Sequence, residues 1–300
     1  MFTPEQTIER INERFGKHVG YRALHAKGTL HTGTFTATPE AAELTSAAHM
    51  QGDPVPALAR ISNGGGDPTV PDYVPDIRGL AVKFTLPDDS KTDIVSQSLP
   101  HFPFHGVDPF VEMLRVTDRS LGGLARLPFF LAKNPGVIGA LRTNAPALKT
   151  PQSYATMGFY AIHAYRWTTA DGRSRFVRYT WLPEAGDRRI PGKVAKERGR
   201  DYLREELAER IAREPVRYRL ELQVAGEGDD PDDPGTRWPA DRERVQAGTL
   251  ELTATTEEGD GNIFDPMRLT EGIEPSADPI LIYRPKAYSL SYERRAAASK

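Results

Sequence analysis

The chain has 300 residues, of which 39 are Lys or Arg and 41 are Asp or Glu, so its formal net charge is −2. A chain this close to neutral lacks the basic footprint of a non-specific nucleic-acid binder and the polybasic segment that draws proteins to anionic membrane surfaces. The chain has no cysteine, which excludes a catalytic thiol, an iron–sulfur cluster, a Cys-ligated zinc site and a disulfide scaffold.

The hydropathy pattern predicts no membrane span. A spanning helix needs about 20 apolar residues, and the longest candidate, residues 127–141, is interrupted by Lys133, Asn134 and Pro135. The first 16 residues also lack the apolar centre of a signal peptide. We therefore expect a cytoplasmic protein.

The chain begins with a predicted short helix within residues 1–16. Thr3 is a suitable N-cap, Pro4 suits the first helical position, and Gly16 is a typical stop.

Alternating apolar and polar residues then predict an antiparallel β structure. The predicted strands are residues 22–38, 58–63, 79–86, 92–96, 156–167, 175–182, 217–224 and 247–254. Helical spacing indicates several short helices in residues 108–142 and one charged helix over 192–213. Turns are predicted at residues 264–266 and 272–275, and Pro285 is expected to open a last helix over 285–298. The sum predicts a single α+β domain over residues 1–300, with an antiparallel barrel in 17–265 that carries helical insertions.

The sequence contains several residues that could take part in catalysis or cofactor binding. It has no nucleophile elbow, phosphate loop or dinucleotide fingerprint. The seven histidines lack a motif that places a carboxylate with them, so they are interpreted as satisfied polar residues rather than as a metal site. Arg22 and His25 share a predicted strand, and Arg284, Tyr288 and Tyr292 lie around the start of the predicted last helix.

Six strings, taken in order, resemble motifs of the haem catalase family. They are YRALHAKG at 21–28, RIS at 60–62, DIRGLAVKF at 76–84, DIV at 93–95, GIEPS at 272–276 and RPKAY at 284–288. The family motifs that they resemble are R-x-x-H-A-[KR]-G, R-F-S, D-x-R-G-[FL]-A-[VT]-K-F, D-L-V, G-I-E-x-S and R-x-x-x-Y. The order and rough spacing of the strings also resemble the family, and the short chain resembles its minimal, catalase-related peroxidases. The resemblance implies a catalase-like barrel that holds haem b, with a C-terminal helix on the proximal side.

On the distal side, the resemblance implies that His25 is the acid–base group for peroxide cleavage. An imidazole titrates near about 6.5 and is suited to accepting and returning a proton. Ser62 would bond the other ring nitrogen and fix its tautomer. Gln97 would occupy the place of the family's distal Asn, and a shift of the alignment by one residue would put Ser98 there instead.

On the proximal side, the resemblance implies that Tyr288 is the iron ligand, as it is for catalases in general. Arg284 would favour its phenolate form, although Pro285 stands between the two where the family commonly has an apolar residue. Arg22, Arg60 and a further Arg near the C-terminal helix would pair with the haem propionates. Asp76 and Arg78 are expected to form an internal structural pair.

The implied function is a haem peroxidase that reduces hydrogen peroxide or organic hydroperoxides with small organic electron donors and has weak catalase activity. A haem enzyme that rearranges fatty-acid hydroperoxides is a second reading. A haem-free β-barrel that binds an apolar ligand is a third, of a different class. No nucleic-acid partner is expected, and the lack of interlocking arms is compatible with a homodimer.

Overall fold

The computed structural model describes residues 2–117, 121–256 and 262–298, without the side chains of 121–124 and 294–298. Its strands form one antiparallel sheet in the order β4-β3-β2-β1-β8-β7-β6-β5-β9. The strands are β1 (Gly28–Ala37), β2 (Val55–Asn63), β3 (Arg78–Thr85), β4 (Lys91–Gln97), β5 (Phe159–Thr168), β6 (Ser174–Pro183), β7 (Val216–Val224), β8 (Arg244–Thr256) and β9 (Ile273–Pro275). A pairing of Gln97 with Tyr160 joins β4 to β5 and closes the first eight strands into a barrel. The predicted antiparallel α+β barrel is confirmed.

The helices pack around this barrel. They are α1 (Pro4–Phe15), α2 (Pro39–Ala42), α3 (Val107–Val116), α4 (Leu121–Lys133), α5 (Gly136–Asn144), α6 (Gly192–Glu197), α7 (Tyr202–Arg213) and α8 (Pro279–Ala298). Helix α1 begins as predicted, with the Thr3 side chain and the Gln6 side chain forming a reciprocal capping box. Within the described residues, no helix has the length and apolarity that a membrane crossing requires.

Two helix predictions were wrong in their boundaries. The single helix expected over residues 192–213 is two helices, because Gly199 between them takes a left-handed φ of 111°. The last helix begins at Pro279 rather than Pro285, and Pro285 lies inside it. The Asp278 carboxylate accepts hydrogen bonds from the backbone N–H groups of Ile280 and Leu281, at 2.7 and 3.3 Å, which stabilises the earlier start.

Two strand predictions also need correction. Strand β1 begins at Gly28 rather than at residue 22, so His25 precedes the sheet. His25 has a φ of 56°, which a β-strand cannot accommodate. Its N–H donates to the carbonyl of Gly64 instead of to a strand neighbour. Residues 273–275, expected to be a turn, form β9 against β5.

The barrel interior holds the main apolar core, centred on aromatic rings. The ring of Phe35 lies 5.1 Å from that of Phe84 and 6.0 Å from that of Trp181, both in edge-on arrangements. A separate small cluster packs α1 against α3 through buried Ile8, Ile11 and Leu114. This second cluster fixes α1 at the edge of the cavity described next.

Candidate active site

A cavity of about 280 Å³ lies between the barrel and helices α1, α3 and α8. The structure brings every predicted site residue except the alternative Ser98 to its lining. These residues are Arg22, His25, Arg60, Ser62, Gln97, Arg284 and Tyr288. Helix α8 supplies Arg284 and Tyr288, whereas the segment before β1 and strands β2 and β4 supply the others.

The position of the His25 imidazole depends on a hydrogen bond to Ser62 and on the absence of a Cβ atom at Gly79. Its Nδ1 lies 3.0 Å from the hydroxyl of Ser62 on β2. Its ring also packs on Gly79, where an added Cβ would lie 2.7 Å from the imidazole. That distance is shorter than any real contact, so residue 79 must be glycine for the ring to keep its place.

The backbone of His25 is held by a glycine turn and a half-buried carboxylate. The His25 N–H donates to the Gly64 carbonyl at 3.0 Å, and the Asp76 carboxylate accepts from the N–H groups of Gly64 and Gly65 at 2.9 and 3.0 Å. Asp76 also forms the expected pair with Arg78, at 3.4 Å. Asp76 therefore stabilises the turn at Gly64 and Gly65, and the Gly64 carbonyl of that turn holds His25 in its left-handed conformation.

The electrostatic environment keeps His25 neutral. Burial, followed by the positive charges of Arg60, Arg284 and Arg22, lowers the pKa of His25 to about 3. Arg60 also donates from Nη1 to the carbonyl of His25 at 2.9 Å. At neutral pH the imidazole therefore has a free lone pair and can accept a proton.

Of the two candidates for the distal amide position, Gln97 and Ser98, the structure brings only Gln97 to the cavity. Gln97 lines the cavity, whereas the Ser98 hydroxyl accepts a hydrogen bond from the backbone N–H of Arg78 at 3.0 Å. The amide of Gln97 is engaged by its own chain. Its Nε2 donates to the Leu99 carbonyl at 2.5 Å, and its Oε1 accepts from the Leu99 N–H at 2.6 Å.

Opposite this face, α8 presents Tyr288 with Arg284 one turn before it. Arg284 Nη2 donates to the phenol oxygen of Tyr288, so Pro285 does not prevent the contact. Arg284 Nη1 lies 2.8 Å from Nε2 of His163 on β5. Because a guanidinium only donates, His163 must accept at Nε2 and carry its proton on Nδ1, which lies 2.5 Å from the Asp278 carboxylate.

His163 and Asp278 were not predicted from the sequence. Burial is the main reason that the pKa of His163 is lowered to about 4, so the ring stays neutral and can accept from Arg284. Burial lowers the pKa of Arg284, but its interactions with Tyr288, Tyr165 and Asp278 together raise it above the usual value, which keeps the guanidinium charged. The Asp-Pro pair at 278–279 is a helix-start signal that would have located Asp278, whereas no local pattern marks His163.

The two remaining predicted arginines lie at the cavity rim. Arg22 donates from Nη2 to the carbonyl of Asn262 at 2.6 Å, and its guanidinium carbon lies 5.9 Å from the Phe264 ring centroid. Arg60 is buried against the segment that carries His25. Both side chains line the cavity between its His25 and Tyr288 faces.

Comparison with known proteins identifies the family. A family model described as Catalase matches residues 3–299. The chain is a member of the catalase family. It is 42% identical over 302 residues to a catalase-related peroxidase of Mycolicibacterium paratuberculosis, covering 99% of this chain and 96% of the relative. It is 31% identical to a catalase-related peroxidase of Synechococcus elongatus, covering 98% of this chain and 88% of that protein. This catalase family member is therefore an oxidoreductase that acts on peroxide, in the catalase-related peroxidase subgroup.

Solved catalases share the fold. A fungal catalase superposes with a TM-score of 0.81 at 23% identity, covering 93% of this chain and 60% of that chain. Catalase A from Saccharomyces cerevisiae gives a TM-score of 0.82 at 22% identity, covering 93% and 62%. This family member thus spans about three fifths of the length of those catalase chains.

Family membership implies a haem cofactor, and the donor set fits one. A phenol oxygen in hydrogen-bond contact with a guanidinium lines the same cavity as a neutral imidazole. Arginines at the rim supply charges that match carboxylate groups. The glycine at residue 79 leaves the His25 side of the cavity clear of a further side chain.

Proposed function

We propose that this catalase family member is a haem b peroxidase that reduces hydrogen peroxide or organic hydroperoxides with small organic donors, and that its catalase activity is weak. The observation that carries the proposal is the placement of neutral His25 across one cavity from the Arg284–Tyr288 pair.

Tyr288 would hold the iron through its phenol oxygen, and Arg22 and Arg60 would bind the propionates. The bound haem supplies the two-electron chemistry that peroxide reduction requires. Arg284 donates a hydrogen bond to that phenol oxygen, which places a positive charge beside the proposed iron ligand. His163 and Asp278 orient the Arg284 guanidinium toward that oxygen.

His25 would move the proton during cleavage of the peroxide bond. In the tautomer with the proton on Nδ1, the ring donates to Ser62 and leaves Nε2 as an acceptor. Nε2 would take the proton from one peroxide oxygen and return it to the other, which would leave as water or an alcohol. The low pKa of His25 favours return of the proton within the same reaction.

The balance between peroxidase and catalase activity is assigned to Gln97. Disproportionation needs a second peroxide molecule to be oriented in the cavity beside His25, which calls for a free amide at this position. The Gln97 amide is occupied on both sides by the backbone of Leu99. Oxidation of an organic donor does not need a free amide at residue 97, because the donor can lose electrons at the edge of the prosthetic group.

The proposal is tested with the purified holoenzyme. We expect an absorption spectrum typical of a tyrosinate-ligated ferric haem, rapid peroxide-dependent oxidation of phenols or aromatic amines, and slow oxygen evolution. Product analysis with a fatty-acid hydroperoxide checks the rearrangement reading, which predicts a rearranged lipid and no donor oxidation. A colourless protein that binds no added haem would contradict the proposal and favour a haem-free barrel.

A further inference from the structure

A second concavity, of about 920 Å³, lies on the outside of the molecule beside the active-site cavity. We call it the donor groove. It is formed by α1, the turn segment 16–23 and the middle of α8, and its lining includes Glu9, Glu13, Val19, Tyr21 and Ser291.

The donor groove and the active-site cavity share one thin wall. Ile8, Arg22, Ala23 and Ser291 line both of them. The wall is joined by a hydrogen bond of 3.3 Å from the Ala23 backbone N–H to the Ser291 hydroxyl. A molecule in the groove is therefore separated from the edge of the cavity by single residues, on the side where Arg22 would bind a propionate.

The floor of the groove carries an apolar and an aromatic side chain that are both open to solvent. Val19 is 67% exposed and Tyr21 is 50% exposed. Gly20 between them has a left-handed φ of 84° with open space beside it. An aromatic ring can pack on this pair.

The polar rim of the groove indicates the kind of ring. Glu9 on α1 offers a carboxylate, which accepts an O–H or N–H hydrogen bond. The exposed Lys17 offers a positive charge on the other wall, so the rim has no single sign of charge. This mixture suits a neutral donor rather than an anion or a cation.

We propose that the donor groove binds the reducing substrate, a small uncharged phenol or aromatic amine, for oxidation at the propionate edge of the site. This inference rests on the proposed peroxidase function. For a phenol the balance is ROOH + 2 ArOH → ROH + H₂O + 2 ArO•, so each donor loses one electron and one proton and the peroxide bond is reduced. Because the groove opens to solvent, the proton of each donor can leave to water while its electron enters the site.

The test compares the parent holoenzyme with the double variant Val19→Glu/Tyr21→Ser, which removes the apolar floor. The control is Phe129→Ser on α4, which changes an equally apolar and 76% exposed side chain outside the groove. Binding of 4-fluorophenol to the resting holoenzyme, without peroxide, is followed by fluorine NMR line broadening. Steady-state oxidation of the same phenol gives its KM, and stopped-flow mixing gives the rate of reaction with peroxide.

We expect the double variant to raise the KM for the phenol at least 5-fold and to lose the line broadening, while its rate with peroxide and the control remain like the parent. A parent-like KM and parent-like broadening in the double variant would overturn the groove assignment and leave the peroxidase proposal standing. If the parent oxidised no donor, the peroxidase proposal would fail. The broadening would then still decide whether phenol binds in this groove.

Discussion

Replacing Gln97 by Asn releases an amide that the parent protein holds against its own backbone. The two Gln97 bonds to Leu99 close a ring that depends on the length of the glutamine side chain. Asparagine is shorter by one methylene, about 1.5 Å. The shorter amide cannot reach the N–H and the C=O of Leu99 together, so at least one of its groups turns to the cavity.

The size of the effect follows from the bonds that are lost. A hydrogen bond within a protein contributes a net of about 0.5–1.5 kcal/mol, so the two bonds hold the Gln97 amide by about 1–3 kcal/mol. Since about 1.4 kcal/mol is a factor of ten, the amide of the Gln97→Asn variant is available to peroxide roughly 5- to 150-fold more often. We expect the ratio of oxygen evolution to donor oxidation to rise by about tenfold.

An oxygen electrode and a donor-oxidation assay on the same holoenzyme preparations give this ratio. Gln97→Met is the matched control, because it keeps the length and removes the amide. Its ratio should stay within about twofold of the parent if the parental amide takes no part. A large fall of oxygen evolution in Gln97→Met, or an unchanged ratio in Gln97→Asn, would refute the reasoning, as would a parent that evolves oxygen as fast as a full-length catalase.

Three further predictions concern the two faces of the site and the buried histidines. The His25→Ala variant should keep haem but react with peroxide at least about 10²-fold more slowly, since a positioned acid–base group contributes that much. Stopped-flow spectroscopy measures this rate, and a rate equal to that of the parent would assign the acid–base role to another residue. The Tyr288→Phe variant should bind haem loosely and lose the tyrosinate spectrum, whereas Tyr292→Phe should keep both; a parental spectrum in Tyr288→Phe would exclude Tyr288 as the ligand. Finally, the unfolding free energy should fall as the pH drops from about 6.5 towards about 4. Three histidines are 1% exposed and have pKa values lowered to about 4, mainly by burial: His31, His49 and His163. As the pH falls, these imidazoles are protonated in the unfolded chain before they are protonated in the folded protein. The free energy of unfolding therefore falls by about 1.4 kcal/mol per pH unit for each ring, or by about 2 kcal/mol for each ring at pH 5. Urea titrations at pH 7 and pH 5 measure the difference, and equal stabilities would show that these rings are protonated in the folded protein.

The barrel was predictable because its strands depend on local alternation. Residues 79–86 alternate well, and with residues 92–96 they form the hairpin of β3 and β4 with an error of one residue at each boundary. The structure also brings the site residues carried by short motifs to the lining of one cavity. Their catalytic roles stay predictions, as do the homodimer and the cytoplasmic location.

The features that sequence reasoning missed depend on contacts between distant segments. His31 lies in the same predicted strand as His25, but in the structure it is bonded to the hydroxyls of Thr29 and Thr255 at 2.9 and 3.2 Å. His163 lies in the middle of β5 like any alternating strand residue, and it acquires its partner Arg284 only when α8 packs on the barrel. No periodicity of a single segment reports such a contact.

The Arg284–Tyr288 pair and His25 are positioned in different ways, and this difference explains why the sequence predicted the surroundings of the pair better than those of His25. Arg284 and Tyr288 are four residues apart on one helix, so helical geometry alone brings them together. His25 lies in an irregular segment with a left-handed backbone, and its place depends on the turn at Gly64 and Gly65, which Asp76 fixes from the far side. Asp76 is therefore part of what places the acid–base group, although it does not line the cavity. A glycine-rich turn and an acidic residue about 12 positions later look like loop composition in the sequence, and only the fold makes them the support of His25.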